Sequence, residues 1–356
     1  MDKKFVMGIA AMAALTLVSC SSDDLDSFSD NSSKNEAISF DGYLGRSAVA
    51  VNGTRGSVLD NTTLQSVGFG VFGNYSSTES ENANFGTNLF NNVKVTGTTS
   101  NGSTTWTYGG VKYWPSQGQI DFLAYAPHET EKTLKNTSYI DFTVVPKAAD
   151  QKDLLWAKAT KQTIKTITNT ENKVKFHFAH ALSRLGFTVK LKGEPSDDVT
   201  ITLKSIKLAG SADGTSKNAF YTGGDFDLAT GAWSQATLNT KQNVDWFSGS
   251  QKVTSTSQTN TELGTDYLFV IPQEFPNTTE DNKLYVIVEY DIKYNGITET
   301  MTNKVHQVLT TDGFKQGKAY TINLTIGRPI EFDADVTDWT NTTDNKNTDI
   351  DIDSWE

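Results

Sequence analysis

From residue 37 onward, apolar and polar positions alternate in short runs broken by turn-forming residues. In Tyr320-Thr321-Ile322-Asn323-Leu324-Thr325-Ile326, the tyrosine and the aliphatic residues share one face while threonine and asparagine take the other. That two-residue period is the mark of a half-buried strand. Residues 68–72, 120–125, 140–145, 187–191 and 285–288 are short runs of aromatic and branched residues bounded by turn formers, and they predict strands as well. Residues 96–105 and 248–261 are rich in Ser, Thr, Asn and Gly and predict long surface connections. No long amphipathic helical pattern is present. Many short strands with little helix predict an all-β chain built from β-sandwiches. The polar stretch 158–173 (KATKQTIKTITNTENK) is nearly central and predicts a domain boundary, with a hairpin loop at the end of the first domain as the alternative.

The first residues follow a different pattern. Lys3 and Lys4 precede an apolar run from Phe5 to Val18, and Ser19 stands before Cys20. This is the layout of a secretory signal, and its spacing resembles a bacterial lipoprotein signal in which the cysteine becomes the acylated N-terminus. As a helix the run would reach about 21 Å, short of the roughly 30 Å hydrocarbon core of a bilayer. The expectation is export with removal of residues 1–19 and a lipid on Cys20. Residues 20–36 are dominated by Ser, Asp, Asn and Lys. They bury too little apolar surface to offset the entropy of ordering and are expected to form a flexible tether.

Composition narrows the function. The 356 residues carry a formal charge of −11, which repels nucleic acid and anionic headgroups and excludes both as natural partners. Cys20 is the only cysteine, so once it is acylated no disulfide, thiolate chemistry or cysteine-ligated metal is available. Stability must come from apolar cores, which 11% aromatic residues can supply across two domains.

Residues that suggest chemistry have plainer readings. His177 and His180 stand three apart, so on a strand they face opposite ways, and a structural role is expected rather than a metal site. Asp349, Asp351 and Asp353 share one face of an extended segment but lack the glycine and terminal glutamate of a calcium loop; a solvated face is expected. Tyr113-Trp114-Pro115, Trp233 and Trp246-Phe247 offer a sugar-stacking platform in principle, although aromatics in β-proteins more often build cores. No nucleophile elbow, P-loop, zinc motif or dinucleotide fingerprint is present. The expectation is a protein that is not an enzyme and needs no cofactor or metal.

Several landmarks follow one another in a definite order: Ile38-Ser39-Phe40, Thr54-Arg55-Gly56, Phe69-Gly70-Val71-Phe72, Lys112-Tyr113-Trp114-Pro115 and Phe122-Leu123-Ala124-Tyr125-Ala126-Pro127. Asp153-Leu154-Leu155-Trp156-Ala157, then Phe178-Ala179-His180-Ala181-Leu182-Ser183-Arg184-Leu185, and finally Val336-Thr337-Asp338-Trp339 complete the series. Together with the signal they resemble the Bacteroidota fimbrillin family, the Mfa-like or FimA-like subunits of type V pili, most densely between residues 38 and 190. The resemblance implies two tandem transthyretin-like β-sandwich domains, taken here as 37–165 and 166–340, with 341–356 as a C-terminal tail.

It also implies a lipid-anchored precursor at the outer membrane and cell surface, matured by an arginine-specific protease that cuts after the first strand. Loss of that strand opens a groove, which a strand from another fimbrillin subunit fills. Arg55, flanked by Gly53 and Gly56, is the expected cut site, with Arg46 as the alternative. Residues 330–339 read as the last strand of their own domain, and 348–355, with Trp355 as an aromatic anchor, as a candidate donor strand. The competing reading is a surface glycan-binding lipoprotein that never polymerises. The sequence names no receptor.

Overall fold

The computed structural model describes residues 36–44, 58–167, 172–193, 198–296, 300–309 and 313–327, and the backbone of one further strand at 331–338. All belong to one structural unit. The fold is all-β. In chain order the first strands are β1 (Ser39–Leu44), β2 (Phe69–Ser76), β3 (Phe90–Ser100), β4 (Ser103–Tyr108), β5 (Gln119–Ala126), β6 (Tyr139–Thr143), β7 (Leu155–Gln162) and β8 (Lys173–His180). They are joined by two short helices, α1 (Asn61–Val67) and α2 (Ile164–Ile167). There follow β9 (Ser183–Leu191), β10 (Val199–Ala209), β11 (Phe220–Tyr221), β12 (Gly223–Asp227), β13 (Ala232–Trp233), β14 (Lys241–Gln242) and β15 (Val244–Lys252). The series ends with β16 (Gln258–Thr259), β17 (Leu268–Val270), β18 (Tyr285–Tyr294), β19 (Met301–Val308), β20 (Lys318–Ile326) and β21 (Glu331–Asp338).

Seven strands form the first sheet in the order β1-β8-β7-β5-β2-β3-β4. One face closes over a cluster that includes Phe40, Phe69, Phe90, Phe122 and Phe176. The second half pairs a sheet β15-β10-β18-β19 with another, β16-β9-β20-β21. Phe187, Leu203, Trp246, Val288 and Ile322 fill the space between them. Here the period-2 pattern of residues 320–326 acts as expected, with Tyr320, Ile322, Leu324 and Ile326 all buried.

β5 breaks the alternation. Every residue of Gln119–Ala126 is buried, because both faces of the first sheet are covered at this point. Phe122 and Ala124 enter the first cluster, while Leu123 and Tyr125 enter a third one. That third cluster is covered by the small sheet β13-β12-β6 and draws on both halves of the chain, from Phe72 and Ile140 to Phe226, Trp233 and Phe269. β5 also carries a buried carboxylate, Asp121. It accepts hydrogen bonds from the backbone N–H of Asn84 (2.9 Å) and Lys161 (2.7 Å) and from Gln119 Nε2 (3.1 Å), which offset the cost of its burial.

Two connections differ from expectation. Residues 96–105 are not a loop but most of the β3–β4 hairpin, turned by Asn101 and Gly102 at φ 51° and 77°. An Asn-Gly pair supplies the two positive φ angles that a tight hairpin turn requires, and the threonines around it are strand residues. Within 248–261, β15 runs on to Lys252 and β16 occupies Gln258–Thr259. The polar stretch 158–173 takes in the end of β7, α2 and the first residue of β8, and β7 and β8 are antiparallel neighbours in the first sheet. The strand at 173–180 accordingly hydrogen-bonds within the first sheet, and the chain enters β9 of the other sheet three residues after His180.

Because the third cluster is shared, the two halves are expected to unfold together. Calorimetry should show one transition, and Phe226→Ala, which opens a cavity in the shared cluster, should cost about 3–5 kcal/mol. Two resolved transitions in the unmodified protein would show instead that the halves are independent.

Candidate functional site: the seat of the first strand

β1 is an end strand of the first sheet, and it runs parallel to β8 from Ser39↔Lys173 to Leu44↔Phe178. On its other side the residues just before it meet the segment after β4. Ala37 forms an antiparallel bridge with Tyr113, the Ile38 N–H donates to Lys112 O (2.8 Å), and the Trp114 N–H donates to Glu36 O (2.9 Å). The Tyr108 hydroxyl donates to Ile38 O at 2.7 Å. The first strand therefore lies in a slot, paired with β8 along one side and pinned on the other by the residues just before it.

Its sequence fits that slot by alternation. Ile38, Phe40 and Leu44 are buried, whereas Tyr43 is 42% exposed. Phe40 is the centre of the contact: its ring lies 5.3–5.7 Å from those of Phe90, Tyr108, Phe122 and Phe176. Edge-on pairs such as Phe40–Phe90 add to the area term. Between Phe40 and Leu44 the inward position is Gly42. A Cβ there would stand 2.9 Å from Phe69 Cε1, closer than carbon atoms tolerate without movement of the ring. Burial of three large apolar side chains corresponds to about 5–9 kcal/mol on transfer values of roughly 1.5–3 kcal/mol each.

Both flanks of the segment that follows β1 are anchored. At the upstream end, Asn61 Nδ2 donates to Leu44 O (2.9 Å) and the Leu44 N–H donates to Asn61 Oδ1 (2.8 Å), closing a two-bond ring from the first residue of α1. Asp60 caps that helix, accepting from the N–H groups of Thr62 and Thr63. At the downstream end the Leu59 N–H donates to Asp153 Oδ2 (3.2 Å), and the same oxygen meets His180 Nδ1 at 2.8 Å. Asp153 and His180 are both buried. Nearby, the Arg184 guanidinium lies 4.5 Å from the centre of the Tyr267 ring. Burial lowers its pKa, while the Tyr267 and Asp153 charges act in the opposite sense. The Asp153 and His180 positions of the sequence landmarks thus form a buried polar pair that holds Leu59, while Arg184 lies on β9 of the other sheet, a placement their sequence spacing did not reveal.

The other residues singled out in the sequence are dispersed. Cys20, Arg46, Arg55, the aspartates at 349, 351 and 353, and Trp355 lie outside the described residues. His177 faces outward against Tyr43, with ring centres 6.3 Å apart, whereas His180 points inward, as residues three apart on a strand should. The aromatic platform does not exist. Trp114, Trp233 and Trp246 are buried in three different clusters, and of the group only Tyr113 is largely exposed. Residues 331–338 pair antiparallel with β20 as the last strand of their own sheet. Asn61 was missed by sequence reading. The Asp-Asn-Thr-Thr run at 60–63 is the helix-start signal that could have located it.

Comparison with known proteins agrees with the all-β fold. The solved structure of a fimbrial protein from Bacteroides vulgatus superposes with a TM-score of 0.64 at 21% identity, covering 85% of this chain and 99% of that one. A cell-adhesion candidate from Bacteroides uniformis gives a TM-score of 0.53 at 20% identity, over 85% of this chain and 99% of that one. At these identities the likeness is one of fold. A candidate fimbrium subunit of Bacteroides uniformis, Fim1C, is 30% identical over 144 residues, which span 40% of this chain and just under half (46%) of that protein. The family model described as fimbrillin-like matches residues 54–339, and the chain belongs to that family.

Proposed function

We propose that this protein is a structural and adhesive subunit of a surface fimbrium, made as an exported lipoprotein acylated at Cys20. In this reading it is held at the outer membrane until an arginine-specific protease cuts between β1 and α1. Its body is arranged as two tandem transthyretin-like sandwiches, and its partners are other fimbrial subunits. The observation that carries the reading is the position of β1. This strand completes an apolar core, yet its onward covalent link to the rest of the fold is the segment 45–57, which holds both Arg46 and Arg55. Family membership supports the fimbrial role.

The physics of the exchange follows from the slot. While the chain is intact, β1 is held at high effective concentration and its apolar face outcompetes other strands. After a cut, its retention depends on non-covalent contacts alone. Its departure would expose a row of unpaired backbone groups on β8 together with an apolar trough, both of which an incoming strand satisfies. The tail 341–356 remains the candidate donor.

Mass spectrometry of assembled fimbriae should find an N-terminus at Gly56, and Arg55→Ala should block maturation. An N-terminus at Ser47 would transfer the cut to Arg46, and polymers that still begin at Cys20 would reject the scheme. The anchor at Leu44 gives a second expectation. Asn61→Ala removes two hydrogen bonds worth about 1 kcal/mol each. Hydrogen exchange at the Leu44 amide should quicken about tenfold or more, and arginine-specific cleavage should quicken with it; an unchanged cleavage rate would show that this anchor does not limit access.

A further inference from the structure

Away from the first-strand slot, the second half of the molecule contains a pocket of about 550 Å³, within the usual range for small-molecule sites. It lies beside the β11–β14 pair, where Tyr221 and Lys241 are directly opposite each other. The Lys241 ammonium stands 4.8 Å from the centre of the Tyr221 ring. That contact, rather than a carboxylate, holds the charge in place. Among the described residues Lys241 has no ion pair, and burial alone lowers its pKa. In so acidic a chain, a half-buried lysine without a counter-charge leaves an unmet electrostatic demand.

The rest of the lining is polar and rigidly placed. Gln273 is fully engaged: its Oε1 accepts from the Tyr221 N–H and its Nε2 donates to Ala219 O. Its backbone forms a two-way bridge with Phe314. Phe314 is packed among Phe220, Phe275 and Tyr320 and makes a firm floor. Beside it, Gly313 has φ 103°, and a side chain there would run into the backbone of Gln273 and Glu274. Gln316 is oriented by a hydrogen bond from its Nε2 to Gly231 O, which leaves its Oε1 without a donor among the described residues. Gln235 and Lys315 complete the mouth, and Glu274 also lines it without an ion pair to either lysine.

We infer that this pocket binds a carboxylate-bearing saccharide residue, with the carboxylate on Lys241, the hydroxyls on Gln235 and Gln316, and Lys315 at the rim. Two ammonium groups against the one carboxylate of Glu274 leave the lining net positive, which selects a negative charge. Side-chain amides that can both donate and accept match vicinal hydroxyls. The volume accommodates a sugar unit.

The test uses the full chain and saccharides ending in glucuronic, galacturonic or sialic acid, each beside its carboxyl-reduced counterpart. The acid should bind about tenfold more tightly than the reduced sugar, with a preference that weakens as salt rises. Lys241→Gln should abolish the preference and Lys241→Arg should keep it, with near-UV circular dichroism confirming the fold of both. Failure of every acidic saccharide to bind at millimolar concentration would overturn the inference, as would equal binding of acid and reduced forms. Acetate competing as well as the sugar would reduce the site to a bare anion hole and reject the saccharide, and preferential binding of an acidic peptide would reassign it. Lys241→Gln should leave maturation and assembly intact, so failure here is separable from failure of the fimbrial reading.

Discussion

The packing of Phe40 against four aromatic rings is the contact on which the first sheet depends. It is made by a strand at the end of the sheet, which in most β-proteins is the least essential position. Here the end strand supplies the cover for Phe69, Phe90, Phe122 and Phe176, and without it that face would be open to water. The arrangement places the closure of this core in a short element paired with β8 on one side and pinned on the other by the residues that precede it. A core built in this way must be closed by some strand, and the fold constrains its shape more tightly than its origin.

Much of the body was legible from local pattern. Residues 320–326 alternate because one face meets the core and the other meets solvent, and period-2 reading needs nothing more. β5 was recognised as a strand from its aromatic content. That both its faces are buried depends on the small sheet carried by residues from 139 to 233, whose pairing of Gly223 with Thr143 spans a distance in sequence that no local pattern encodes. The β3–β4 hairpin looks like a loop in sequence because threonines and serines are common in both; the Asn101-Gly102 pair is the better signal. At the slot, the landmark Ile38-Ser39-Phe40 falls at the start of β1. The parallel return of β8, the Asn61 clamp and the Asp153–His180 pair are tertiary coincidences. They arise when strands distant in the chain are laid side by side, so they become visible only with the fold.

The shared third cluster links the slot to the rest of the molecule. Leu154 and Tyr125 belong to it, and they sit next to Asp153 and on β5 respectively, the elements that form the base and wall of the first-strand seat. Trp233 adds a polar tie, donating its indole N–H to Ala181 O at the point where the chain leaves β8 for β9. The seat is thus braced from behind by residues of the second half, and its geometry does not depend on the first sheet alone.

Gly42 gives the slot a grammar of sizes. Reading inward positions along β1, the order is aromatic, absent, aliphatic: Phe40, Gly42, Leu44. Phe69 occupies the space that a side chain at the middle position would need. Any strand lying in this trough in the same register and direction must therefore leave a gap between two bulky residues, and a uniformly large apolar strand is refused on steric grounds. Within this chain Phe332, Ala334 and Val336 come near that order, with alanine at the place where only hydrogen fits without movement of the Phe69 ring. The fit of β1 in its slot rests on one missing methyl group as much as on the hydrophobic residues on either side of it.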